Sequence, residues 1–186
     1  MLAYVFWHWP AEGATTDDYE RLQQQFHRGL HEAAIQEFLG STAFRIDGQA
    51  PWLGGHPAYA DWYLLESSAG LDALNEAAVS GLRKGPHDVL ARAMGAGAGS
   101  LLQARSQTDF PTIQKARYAT WLAKPKGMPY DPFYQRLQPL TTQPGVSVWR
   151  RQMVLGPTTE FGLLSTDRLQ LPPGLESTEL RLQPLL

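Results

Sequence analysis

Residues 2–9, LAYVFWHW, are aromatic, β-branched or apolar and end at Pro10, the pattern of a β-strand. From Tyr19 the apolar positions change period. Tyr19, Leu22, Phe26, Leu30 and Ala33 recur at spacings of three and four and fall on one helix face, with Asp17 and Glu20 as a capping-box-like start. Gly40 stops this helix, and Ser41–Ile46 and Asp61–Glu66 read as two further strands joined by the Gly/Pro-rich connection 47–60. Leu71, Leu74, Ala78 and Leu82 mark a second helix, which Gly85-Pro86 breaks before a short helix over His87–Met94. The glycines of 95–99 read as a flexible turn into a last strand, Leu101–Ser106. The order is β-α-β-β-α-β, the ferredoxin-like split βαβ pattern.

The pattern repeats. Tyr4-Val5-Phe6-Trp7 before Pro10 matches Tyr118-Ala119-Thr120-Trp121 before Pro125, and Tyr19-Glu20-Arg21-Leu22-Gln23 matches Tyr134-Gln135-Arg136-Leu137-Gln138. Gly40–Arg45 lines up with Gly145–Arg150, and Trp62–Leu65 with Phe161–Leu164, all in the same order. The chain divides into a unit over 1–107 and a second over 114–186. The second keeps strands over 115–123, 146–154 and 160–166, a helix near 131–142 and a closing strand at Glu179–Gln183. Its second helix is missing, because Leu169–Gly174 is short and carries Pro172-Pro173. The fold class is α+β: two tandem ferredoxin-like units packed as one α+β barrel. Val146, Val148, Phe161 and Leu163 lose a covering helix in the second unit, so a homodimer through that face is expected.

Composition removes several classes of function. A net charge of −2 gives no electrostatic case for nucleic acid, and the absence of cysteine excludes disulfides, thiolate nucleophiles and iron–sulfur clusters. The opening MLAYVFWHWP is too short in its apolar run for a signal peptide or a membrane span, so no membrane partner and a cytoplasmic location are expected. Gly95–Ser100 runs from a helix toward a strand, opposite to a phosphate loop, and His31-Glu32-Ala33-Ala34-Ile35 lacks the second histidine of a zincin.

The duplicated architecture resembles the dimeric α+β barrel superfamily, which includes EthD-like, antibiotic-biosynthesis-monooxygenase-like and NIPSNAP-like proteins. Tyr19 stands eight residues before His27, similar to an aromatic-to-histidine spacing in EthD-like domains, although the distance from His27 to Gly40 is longer than in that family. The resemblance implies small-molecule chemistry in some members and no activity in others.

Two sets of residues are singled out. His8, on the first strand, and His27, on the first helix, are candidates for proton transfer, with Trp62 for stacking. Trp52, His56 and Tyr59 in the long hairpin connection, with Tyr63 beyond it, are candidates for ligand binding, as a lid or as a plug over a barrel end. His27 and His31 share a helix face, which admits a metal pair, an acid–base histidine or the polar edge of a buried face; no metal and no cofactor are expected. Two functions stand side by side. One is an enzyme acting on a small hydrophobic or aromatic molecule inside the barrel. The other is a non-catalytic binding or structural module whose barrel is filled by side chains.

Overall fold

Alternation along β1 (Leu2–Pro10) sends Ala3, Val5 and Trp7 to one side and Tyr4, Phe6 and His8 to the other. Both sides are covered. The computed structural model describes residues 1–186 and continues as α1 (Thr16–His31), β2 (Phe38–Asp47), β3 (Ala58–Leu65), α2 (Gly70–Ala78), α3 (Lys84–Ala93) and β4 (Met94–Ala104). The short α4 (Phe110–Gln114) leads to β5 (Tyr118–Leu122), α5 (Tyr130–Thr141), β6 (Ser147–Arg151), β7 (Phe161–Ser165) and β8 (Ser177–Pro184). The strands form one closed antiparallel barrel in the order β1-β3-β2-β8-β5-β7-β6-β4. No helix is long and apolar enough to cross a membrane.

The barrel interior is solid. Trp7, Trp62, Trp121 and Trp149 are almost wholly buried there with Phe44, Leu64, Leu102 and Leu180. Trp62 meets Trp149 edge-on at 5.5 Å between centroids, and Trp7 meets Trp121 at 5.4 Å. Trp52, from the connection 47–60, closes onto the last pair at 6.3 Å from Trp7 and 5.7 Å from Trp121. Side chains thus occupy the barrel interior, where one of the two sequence readings set an apolar ligand.

Two further layers lie outside the barrel wall. Tyr19, Phe26 and Leu30 of α1 and Leu90 of α3 pack on the outer side of β1 and β3. Phe133, Leu137 and Leu140 of α5 pack on Leu122, Val148, Phe161 and Leu163. The segment with Leu169, Leu171 and Leu175 also lies against this second layer. The face expected to be bare is therefore covered within the chain, and it no longer calls for a homodimer.

Several local expectations change. The glycines of 95–99 are not a turn; they belong to β4 and pair with β1, Trp9 opposite Ala96, His8 opposite Gly97 and Phe6 opposite Gly99. A Cβ on Gly97 would lie 2.5 Å from the Phe6 ring, and one on Gly99 2.7 Å from the Tyr4 ring, so those aromatics occupy the room side chains would need. Gly85-Pro86 does not break a helix but lies in the first turn of α3, where the missing N–H of proline costs little. The α1 cap is Thr15, whose hydroxyl accepts from the Asp18 N–H, and α1 ends at His31, well before Gly40. Gly40 lies within β2 at a register shift. Its φ of +142°, and a Phe110 ring that would stand 3.0 Å from any Cβ there, explain the glycine.

The paired segments agree in part. Trp7 and Trp121 both point into the barrel, as do Phe44 and Trp149. Trp62 points in where Phe161 points out, and Tyr19 is fully buried where Phe133, not Tyr134, is its buried counterpart.

Candidate functional site

The outer side of β1 and β3 carries a group of polar side chains beneath α1. Register sets His8 opposite Tyr59, Phe6 opposite Asp61 and Tyr4 opposite Tyr63, so alternation brings His8, Asp61 and Tyr63 onto the same side. Helical spacing adds Tyr19, Gln23 and His27 from α1, each four residues from the next and each buried.

Asp61 is the centre of the group. His8 Nε2 lies 3.1 Å from its Oδ1, and His27 Nε2 lies 3.4 Å from its Oδ2. Both are ion-pair distances without hydrogen-bond geometry, so His8 Nε2, His27 Nε2 and Asp61 Oδ1 have no hydrogen-bond partner. The Tyr63 hydroxyl donates to Asp61 Oδ2 at 3.0 Å. The far nitrogens are held as well: His8 Nδ1 is 2.6 Å from the Tyr19 hydroxyl, and His27 Nδ1 is 2.7 Å from Ser41 Oγ. No group of three or more ligand-type side chains is arranged to hold a metal ion; His31, the other half of the sequence pair, instead receives the Ser41 N–H on its Nε2 at 3.0 Å.

Electrostatics follow from this packing. Burial alone would raise the Asp61 carboxyl, but the two histidines outweigh it and hold the group well below the usual carboxylate range. The phenols move the other way. Burial, with the Asp61 charge beside it, pushes Tyr63, Tyr19 and Tyr4 above the ordinary tyrosine value, so they remain protonated hydrogen-bond donors. Tyr59, buried and bonded to Glu20, is pushed up to about 12.

Next to Asp61 the layer opens into a half-open pocket of about 400 Å³ between the sheet and α1, α2 and α3. Asp61 and Tyr63 line it together with the rings of Tyr4, Phe6 and Phe26. Leu74, Leu90 and Met94 complete an apolar wall, and Asp72, Asn75 and His87 add polar groups.

The sequence candidates therefore separate. His8 and His27 meet at Asp61, and Tyr63 lines the pocket. Tyr59 stacks on His8 at 5.8 Å in the same layer. Trp62 faces the barrel interior, Trp52 caps the barrel, and His56 stacks on Trp9 at 5.0 Å; none of these three touches the pocket. Sequence reasoning missed Asp61 although a signal was present. It is the one charged residue in AYADWYLL, and its position relative to Tyr59 and Tyr63 predicts their shared face.

No protein-family model matches the sequence, and no curated protein matches it. Solved structures do. An anthrone oxidase-like protein superposes with a TM-score of 0.52 at 11% identity, over 98% of this chain and 91% of that one. A candidate chlorite dismutase gives 0.52 at 13% identity, over 100% and 96%. At such identities the likeness shows the fold, an α+β barrel, and the reading of the site rests on its own geometry.

Proposed function

We propose that the chain binds a small, largely apolar or aromatic molecule in the pocket beside Asp61 and takes a proton from it. The observation that carries this reading is a buried carboxylate, flanked by two histidines and bonded by a tyrosine, that lines a half-open apolar pocket of about 400 Å³. Asp61 and Tyr63 would meet the molecule, while His8 and His27 act as positioning residues that keep the carboxylate charged and in place.

The two halves are read as tandem ferredoxin-like units, 1–107 and 114–186, and their strand orders β4-β1-β3-β2 and β8-β5-β7-β6 support this. On that reading, aligning Trp7 with Trp121 sets Leu122 at the place of His8 and Leu163 at the place of Asp61. The architecture thus uses leucines where the first unit holds buried charge, so the charge serves something other than folding. The names of the two similar structures, an oxidase-like protein and a candidate dismutase, are in keeping with small-molecule chemistry on this barrel. The tryptophan-filled barrel favours a second reading, a binding module that uses the same pocket without catalysis.

The test is a panel of small aromatic compounds followed by ligand-observed NMR, with hydrogen–deuterium exchange into each compound read by mass spectrometry. Binding lost in Ala91→Phe, whose new ring would fill the pocket wall, supports the site. Deuterium uptake that depends on Asp61 supports proton transfer; binding without uptake leaves the binding module. No binding by any compound ends both readings.

A further inference from the structure

We infer that the molecule taken up by this pocket carries a cationic amine on its apolar body. The inference rests on the proposed binding role of the pocket and adds the charge of its occupant.

The first observation is the charge of the lining. Asp61 and Asp72 are its acids, no lysine or arginine lines it, and His87 is its one basic side chain. Lys84 and the His87 Nδ1 both turn to Asp88 rather than to the pocket acids, at 2.6 and 3.2 Å. A carboxylate or phosphate ligand would bring like charge to a buried carboxylate without a fixed cation to receive it.

The second observation is independent of the acids. Tyr4, Phe6, Phe26 and Tyr63 all line the same space, and Tyr4 stacks near Phe6 at 6.3 Å and near Tyr63 at 5.9 Å. Aromatic rings gathered around a cavity attract a cation at any face turned toward it. Gly97 and Gly99 make room for two of these rings, so the aromatic wall is specified by the backbone behind it.

The third observation concerns the buried acid. Asp61 lines the pocket, no lysine or arginine pairs with it, and the Tyr63 hydroxyl donates to its Oδ2 at 3.0 Å. An ammonium group on the occupant would bring this carboxylate a charge-assisted partner.

The experiment compares three probes of one shape, 2-phenylethylamine, 2-phenylethanol and phenylacetate, by isothermal titration and saturation-transfer NMR at pH 7. The amine is expected to bind on the order of tenfold tighter than the alcohol, and phenylacetate weakest. Asp61→Asn should remove most of the preference for the amine while the alcohol still binds. Should that variant not fold, Asp72→Asn, on the exposed side of the pocket, should narrow the preference by a smaller factor. Alcohol or phenylacetate binding as tightly as the amine overturns the inference and leaves the pocket reading standing. No binding by any of the three, with Ala91→Phe indistinguishable from the parent, overturns both.

Discussion

His8 Nε2 and Asp61 Oδ1 stand 3.1 Å apart on neighbouring strands, and both side chains are shut away from water. A buried pair of this kind gains little net stability over apolar residues, yet breaking it from one side is costly. Asp61→Ala, which strands His8 and His27 together, should therefore cost about 3–5 kcal/mol in urea denaturation. Replacing His8, His27 and Asp61 together by leucine, in the manner of Leu122 and Leu163 in the second layer, should recover most of that loss. The triple variant should fold and lose the preference for an amine. A triple variant as unstable as Asp61→Ala would mean that the charges are required by the fold.

The same pair sets a pH dependence. Asp61 is held below its ordinary range in the folded chain, so the unfolded chain binds its proton more readily. The sign follows: this stabilisation is complete above the unfolded carboxylate value of about 4 and fades as pH falls from there toward the lower folded value. Stability measured from pH 6 down to pH 2.5 should drop along this limb. In Asp61→Asn the limb should be shallower; equal slopes in the two proteins would count against a depressed Asp61.

The barrel cap and the pocket should respond separately. Trp52 is half-buried over Trp7 and Trp121 at the barrel end, while the pocket lies outside the wall beneath α2 and α3. Trp52→Ala removes two edge-on aromatic contacts and should cost about 1–3 kcal/mol by thermal or urea unfolding. Binding of a pocket ligand should be unchanged in that variant. A parallel loss of binding would tie the cap to the site.

How far the sequence reaches can be judged from these residues. The β1 alternation and the α1 stripe follow from the spacing of apolar side chains, because each is a local period. Both faces of β1 are largely apolar and both are covered, so its pattern alone cannot tell the barrel side from the helix side. That ambiguity sets Trp62 beside the histidines, although its neighbour Asp61 is the residue that faces them. Asp61 itself depends on cross-strand register, which brings together residues far apart in the chain. The glycines of β4 look like a turn for the same reason, since only the rings of Tyr4 and Phe6 on the next strand require them.

Those glycines give the last prediction. Gly99 lies so close to Tyr4 that a methyl group there would come within 2.7 Å of the ring, while Gly97 would also strike the Trp7 carbonyl oxygen at 2.7 Å. In Gly99→Ala the obstacle is the end of a side chain, so Tyr4 can swing away, and its nearest open space is the pocket it lines. In Gly97→Ala one obstacle is backbone, so the strand pair itself must shift. Gly97→Ala should therefore cost more stability than Gly99→Ala, on the order of 1–3 kcal/mol for strain of this kind. Gly99→Ala should instead weaken ligand binding more than stability, because the displaced Tyr4 ring narrows the cavity. Urea denaturation and titration of one bound aromatic probe on both variants decide it; binding intact in Gly99→Ala would show that Tyr4 moves away from the pocket or does not shape it.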